Sequence, residues 1–401
     1  MNNRVAITGM GAITPLGMSA ATTMAAMAAG RSGISALEFQ DVERLQIRIG
    51  GQIKGYKEEA HFTRQEISLY DRFTQFAVLA AREAVAQSGA ALAGANTGVI
   101  LGTSGGGLIT QDENYRKVYE AGKNRVHPFV VPRLMNSAAA SHLSMIHKAT
   151  GPCYTVSTAC ASSNHAMGQA FQMIRAGMAD TMLTGGSESM LTFGGIKAWE
   201  GLRVMSKTGC RPFSVDRDGM VQGEGAAVFV FENMALAQAR GAEILAEVVG
   251  FAMSADASDI VKPSRDGAIQ AIAGALESAG LTPADIGYIN AHGTGTTVND
   301  RTEAEAIQAV FGAYAKGLRV SSTKSMHGHL IGGTGAVELL ACIMALREGI
   351  IAPTINHSQA DEGCDLNFVA NTAQEAKVNA VLSNAFAFGG LNAVLALQSA
   401  G

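Results

Sequence analysis

Cys160 lies in VSTACASSNHAMGQA, where the apolar stretch Pro152–Val156 gives way to small residues and then to a helical period. A small-residue bend between a buried strand and a helix presents its side chain at the helix N-terminus, where unpaired N–H groups favour a thiolate. Cys160 is therefore a candidate nucleophile. Two imidazoles stand in comparable turns: His292 in AHGTGTTVND, after the strand YIN, and His329 in KSMHGHLIGGTGA, after the strand RVSST. The second turn also carries Lys324 and His327. A thiolate with two imidazoles suits acyl transfer: sulfur takes the acyl group while the rings donate to a developing oxyanion or move a proton. His327 and His329 also make an HxH pair of metal-ligating type, but no third ligand follows in a matching local pattern, so no metal is expected.

These groups need a scaffold. Short apolar runs such as VAIT (Val5–Thr8) and GVIL (Gly98–Leu101) alternate with longer helical patterns, including one over Phe73–Gln87. That is the βαβ rhythm of a layered α/β protein whose sheet is mostly buried on both faces. A pause over Asn233–Glu243 divides the chain into halves, residues 1–242 and 243–401. Each half has a strand, a reactive residue in a small-residue turn and a long apolar helix: Cys160 with GQAFQMIRAG, His329 with VELLACIMALREG.

Composition narrows the function. The chain has 401 residues, 47% hydrophobic and 16% charged, with 47 glycines, as in a densely packed protein rich in tight turns. A net charge of −4 gives no general attraction to nucleic acid or anionic lipid, so neither is an expected partner. The uncharged stretches Val5–Gly30 and Val381–Gly401 are broken by glycine, proline and polar residues, and no membrane segment is expected. Five cysteines without a CxxC pair argue for a reducing compartment, the cytoplasm. GMGAIT (Gly9–Thr14) lacks the third glycine and the acidic partner of a dinucleotide fingerprint, which excludes a nicotinamide cofactor.

From VAITGMGAITPLG through GPCYTVSTACASS to SNAFAFGGLNAVL, the chain resembles the elongating β-ketoacyl-acyl-carrier-protein synthases, condensing enzymes of the thiolase superfamily. The resemblance implies a five-layered αβαβα fold of two similar halves and a Cys-His-His site of Cys160, His292 and His329, with Lys324 as the site lysine. It implies that Cys160 accepts an acyl chain and that a malonyl carrier then loses CO₂ to give the attacking carbanion, in fatty acid or related polyketide and polyene elongation. Amides of Cys160 and Phe388 would form the oxyanion hole, with Phe388 also the gate, while His292 and His329 polarise the malonyl carbonyl. Lys324 would be held by Glu303, with Asp300 in the same network.

By the same resemblance no cofactor is held, since phosphopantetheine arrives on the acyl carrier protein. A homodimer is expected, or a heterodimer with a related ketosynthase-like subunit. Thiolases need a second catalytic cysteine, initiating synthases pair one histidine with asparagine, and chain-length partners lack the nucleophile; none matches this chain. The rival reading is a non-catalytic subunit that shapes another synthase's pocket.

Several residues depart from the family's pattern. The phenylalanine loop reads AFGGLN where GFGGTN is usual, so Ala387 narrows the backbone freedom of the gate and Leu391 removes a hydroxyl. His327 stands at a common threonine, either retuning His329 or facing away. In the helix TRQEISLYDRF, Gln65, Ser68 and Leu69 replace basic residues, leaving Arg64 and an internal Arg72. Carrier docking then leans on Lys123, Arg125, Arg203 and Lys207. Gly105 leaves the acyl pocket open, and Val130 from a second copy of the chain limits its length.

Overall fold

The computed structural model describes residues 3–400. Its first half contributes strands β1 (Val5–Ile13), β2 (Thr97–Gly102), β3 (Cys153–Val156), β4 (Thr181–Glu188) and β5 (Gly225–Asn233). They lie in the order β3-β2-β4-β5-β1. β2 runs parallel to both β3 and β4, and β5 is antiparallel to both of its neighbours. The second half contributes β6 (Ala246–Ala255), β7 (Ile286–Asn290), β8 (Arg319–Ser321), β9 (Asn367–Phe368), β10 (Ala380–Ala387) and β11 (Leu391–Gln398). Their order, β9-β8-β7-β10-β11-β6, repeats that of the first half, in strand direction as well as in sequence, with β9 added at the rim. The duplication suggested by the two turn-and-helix segments is thus present in the topology. A short antiparallel pairing of Val5–Ile7 with Ala246–Val248 links the two sheets through β1 and β6.

Helices complete five layers. α1 (Arg72–Ser88) and α2 (Ala138–His147) cover the outer face of the first sheet, α3 (Ser162–Arg175) follows Cys160, and α4 (Phe193–Leu202) borders the site. α5 (Arg265–Ala279) covers the second sheet with α6 (Thr297–Phe311) outside it, and α7 (Thr334–Glu348) follows His329. α3 and α7 form the middle layer, each touching strands of both sheets. Every residue of α7 from Thr334 to Leu346 is buried, as its all-round apolar sequence requires. No helix among the described residues is long and apolar enough to cross a membrane.

Two expectations are corrected. β3 is an edge strand, half-exposed rather than buried, because it has a partner on one side alone and Cys153 faces outward. The segment TRQEISLYDRF is two helices, not one: Arg64–Leu69 ends at Tyr70, and Asp71 caps α1 by accepting the Phe73 amide at 3.1 Å. Arg72 is internal as expected, paired with Glu224 at 2.6 Å.

Candidate active site

The three reactive residues sit where chain segments leave the ends of strands. Cys160 lies in a tight turn, Ala159–Ala161, that runs straight into α3. His292 follows β7, and His329 follows the short helix Lys324–His327 beyond β8. Ala159 and Ile331 both adopt φ of +48°, unfavourable for residues with a Cβ and costly for β-branched isoleucine, of order 1–3 kcal/mol each. These two turns, one after each long connection of the repeat, aim the middle layer's N-termini at one point. There the Cys160 sulfur and one ring nitrogen of each histidine lie within 4.8 Å of one another. The imidazoles of His292 and His329 meet edge to face, centroids 5.4 Å apart at 82°.

The bonds around His329 fix its proton. Ile331 N–H donates to Nδ1 at 3.1 Å, and the Thr334 hydroxyl lies 2.8 Å from the same atom. Nδ1 is therefore an acceptor and the neutral ring carries hydrogen on Nε2. That Nε2 is buried with no partner, an N–H held ready for something that enters the cavity. Burial, then the Lys324 charge, holds the pKa of both His292 and His329 well below 6.5, so both rings are neutral.

Cys160 differs from the expectation. Its thiol is pushed up to about 11, chiefly by burial, against the pull of Lys324 and of hydrogen bonds from the Phe388 and Cys160 amides. Desolvation outweighs the helix N-terminus, and the resting residue is a thiol rather than a thiolate.

The supporting network is also rearranged. Lys324 Nζ pairs with Glu338 at 2.6 Å and donates to the His292 carbonyl; Glu303 is not its ion-pair partner. Glu303 instead accepts the His292 amide at 2.8 Å, the Gly293 amide at 2.7 Å and Asn384 at 3.1 Å, clamping the turn from behind. Asp300 does not join Lys324: it accepts the Phe213 and Thr294 amides at 2.8 and 3.0 Å and faces Arg217 at 3.8 Å. His327 faces away from the sulfur, with Nδ1 2.7 Å from the Gly328 carbonyl and Nε2 3.0 Å from the Thr323 hydroxyl. Both ring nitrogens are engaged there, so the HxH pair is no ligand pair.

The site opens into a cavity of about 440 Å³ lined by Cys160, His292, His329, Phe386, Phe388 and Trp199 among others, with Arg203 and Lys262 at its wall. The Phe388 loop is tied to the neighbouring loop by Gly389 N–H to the Ile260 carbonyl at 2.8 Å and Asp256 N–H to the Gly390 carbonyl at 2.9 Å. Ala387 ends β10 in strand conformation, paired with Leu391; the left-handed residues of the turn are Gly389 and Gly390, φ +81° and +68°. Alanine at 387 therefore leaves the turn's own hinge, the glycine pair, untouched.

The N-terminal domain of β-ketoacyl synthases matches residues 2–237 and the C-terminal domain residues 245–358. The chain belongs to the β-ketoacyl synthase family. Nodulation protein E of Rhizobium sp. (strain N33) is 45% identical over 401 residues, covering 99% of this chain and 100% of that protein. The 3-oxoacyl-[acyl-carrier-protein] synthase 2 of Staphylococcus aureus (strain COL) is 40% identical over 408 residues, covering 99% and 98%. Among solved structures, the ishigamide ketosynthase/chain length factor superposes with a TM-score of 0.96 at 33% identity. A β-ketoacyl synthase from Burkholderia phymatum does so at 0.91 and 32%; both cover 100% of each chain. This synthase is an acyltransferase that condenses an acyl thioester with a malonyl thioester in fatty acid or polyketide elongation.

Other expected residues of the synthase lie farther out. Gly105 lines neither this cavity nor its neighbour; its Cβ would meet Met190 at 3.1–3.2 Å, so Met190 fills the space that glycine vacates. Val130 begins a half-buried turn of helix, Val130–Leu134, and also lines neither of these two cavities. Lys123, Arg125 and Lys207 are exposed and stand outside these two cavities, whereas Arg203 lines the first. Sequence reasoning missed Glu338, although a lone acid inside the apolar run of α7 signals a buried partner. It also missed Glu188, which binds the Ser104, Gly105 and Gly332 amides at 2.7–3.0 Å and joins the glycine loop to the His329 turn.

Proposed function

We propose that Cys160 carries the acyl chain and that His292 and His329 activate malonyl-acyl carrier protein for decarboxylation. The reading rests on one observation above all: His329 presents an unpartnered, buried Nε2–H beside Cys160 and His292. In the first half-reaction the Cys160 sulfur attacks the incoming thioester and the thiol's proton leaves on the departing carrier thiol. In the second, the malonyl group loses CO₂, its carbonyl oxygen accepts a hydrogen bond from the Nε2–H of His329 as the enolate forms, and the enolate carbon attacks the Cys160 thioester. The bond between the acyl carbon and the Cys160 sulfur breaks, the sulfur takes a proton from solvent in place of the one lost in the first half-reaction, and a β-ketoacyl carrier departs. Amides of Cys160 and Phe388 suit the tetrahedral oxyanion. Neutral imidazoles suit this step, because they donate without adding a buried charge.

The same reading has the phosphopantetheine brought by the carrier, with no cofactor of the chain's own, in the cytoplasm. Arg203, with Lys262, meets the acidic carrier, and Lys123, Arg125 and Lys207 extend the docking surface. A second copy covers β3 and the exposed apolar residues Phe129, Val131, Met135 and Met145. The test is malonyl-carrier decarboxylation by Cys160→Gln, which isolates the second half-reaction. Adding His329→Ala should slow it about 10²–10³-fold, the effect of deleting one oxyanion donor, and His329→Gln, which restores an N–H, should recover part. An Ala variant as fast as its parent would overturn the assignment.

A further inference from the structure

A second cavity of about 470 Å³ shares Trp199 with the first, and its lining includes Leu108, Met190, Phe193, Gly195 and Ala198. Trp199 is the one residue that lines both cavities, and it is the chain's sole tryptophan. Its indole stacks on the Phe388 ring, centroids 5.9 Å apart with planes at 23°. Phe388 in turn lines the first cavity together with Cys160. The stacked pair therefore lies where the cavity that holds the reacting sulfur meets the second cavity, whose wall includes Met190.

We infer that Trp199 sets the acyl-chain preference of this synthase: its contact with Phe388 closes the passage to the second cavity, and only chains long enough to part the two rings occupy it. The inference rests on Cys160 being the acyl carrier. A short acyl group stays within the first cavity and leaves the pair stacked. A long one must separate the rings and recovers the loss by burying its distal methylenes against Met190, Phe193 and Leu108. An aromatic pair of this kind is worth a factor between about two and ten.

Two measurements on the full chain test this. Because Trp199 is the only tryptophan, emission excited at the long-wavelength edge, where tyrosine does not absorb, reports on it alone. Dodecanoyl transfer from a dodecanoyl carrier should shift that emission, and acetyl transfer should not; equal responses to the two chains would overturn the inference. In competition between the two carriers, read as intact mass of the acylated protein, Trp199→Ala should raise the dodecanoyl-to-acetyl ratio about two- to tenfold. Trp199→Phe, which keeps a ring on Phe388, should stay near wild type. A ratio unchanged or lowered in Trp199→Ala would overturn the partition alone. No adduct with either carrier on the wild-type chain would overturn the nucleophile and the partition together.

Discussion

Replacing Glu338 with leucine should unbalance the most deeply buried charge pair of the site. Lys324 Nζ and Glu338 Oε1 are 2.6 Å apart, with 0% and 1% of their side chains exposed. At an effective dielectric near 20, that separation gives an attraction of about 6 kcal/mol, set against a desolvation penalty of several kcal/mol per ion. Each partner alone is worse off than the pair, so Glu338→Leu and Lys324→Met should each cost about 3–5 kcal/mol. The double variant removes both charges and should cost at least about 2 kcal/mol less than the sum of the two. Urea unfolding at pH 7.5, followed by circular dichroism, measures the cycle. Burial raises Glu338 and Glu303 to about 7 against the pull of Lys324, so removing that charge raises them further and they protonate more readily; the Lys324→Met penalty should be smaller at pH 6 than at pH 8. The corresponding cycle with Glu303→Gln should show weaker coupling, because Glu303 is occupied by the His292 and Gly293 amides. Energies additive within about 0.5 kcal/mol for Lys324 and Glu338, or stronger coupling to Glu303, would refute the assignment.

Burial, then the Lys324 charge, lowers His327 to about 3, so the folded ring refuses a proton that the unfolded chain accepts at 6.5. Its contribution to stability falls as pH drops below 6.5, and His327→Thr should gain on wild type by about 1.4 kcal/mol per pH unit from there toward pH 5 in denaturant unfolding. A pH-independent difference would contradict a buried neutral ring. Gly105→Ile should displace Met190 into the second cavity and slow acylation by dodecanoyl more than by acetyl carriers; equal slowing would remove Gly105 from the account of chain length. Charge reversal of Arg203 together with Lys262 should raise the carrier KM, with a weaker effect at high salt, and an unchanged KM would place the carrier elsewhere.

The residues legible in the sequence were those whose local setting is distinctive: Cys160 before α3, His292 after β7, His329 after β8. Each sits in a run of small residues at a strand end, and the βαβ rhythm implied layers to gather them. Partnership was not legible. Glu303 lies only eleven residues after His292 and Glu338 fourteen after Lys324, and choosing between them required knowing that α7 enters the middle layer while α6 lies outside. The thiol's protonation was missed for a related reason. A helix N-terminus can be read from a small-residue turn, but the burial that outweighs it comes from both halves of the fold closing over one sulfur. Trp199 was overlooked because α4 carries no reactive group, and its role depends on Phe388, which arrives from the far end of the chain.

The most direct test of the account is intact-mass spectrometry of the purified chain after incubation with an acyl carrier. Wild type should gain the mass of one acyl group, mapped by peptide digestion to Cys160, and Cys160→Ala should gain none. An adduct that persists in Cys160→Ala, or a wild-type chain that stays unmodified while another subunit becomes acylated, would contradict the assignment of Cys160 as the residue that carries the chain.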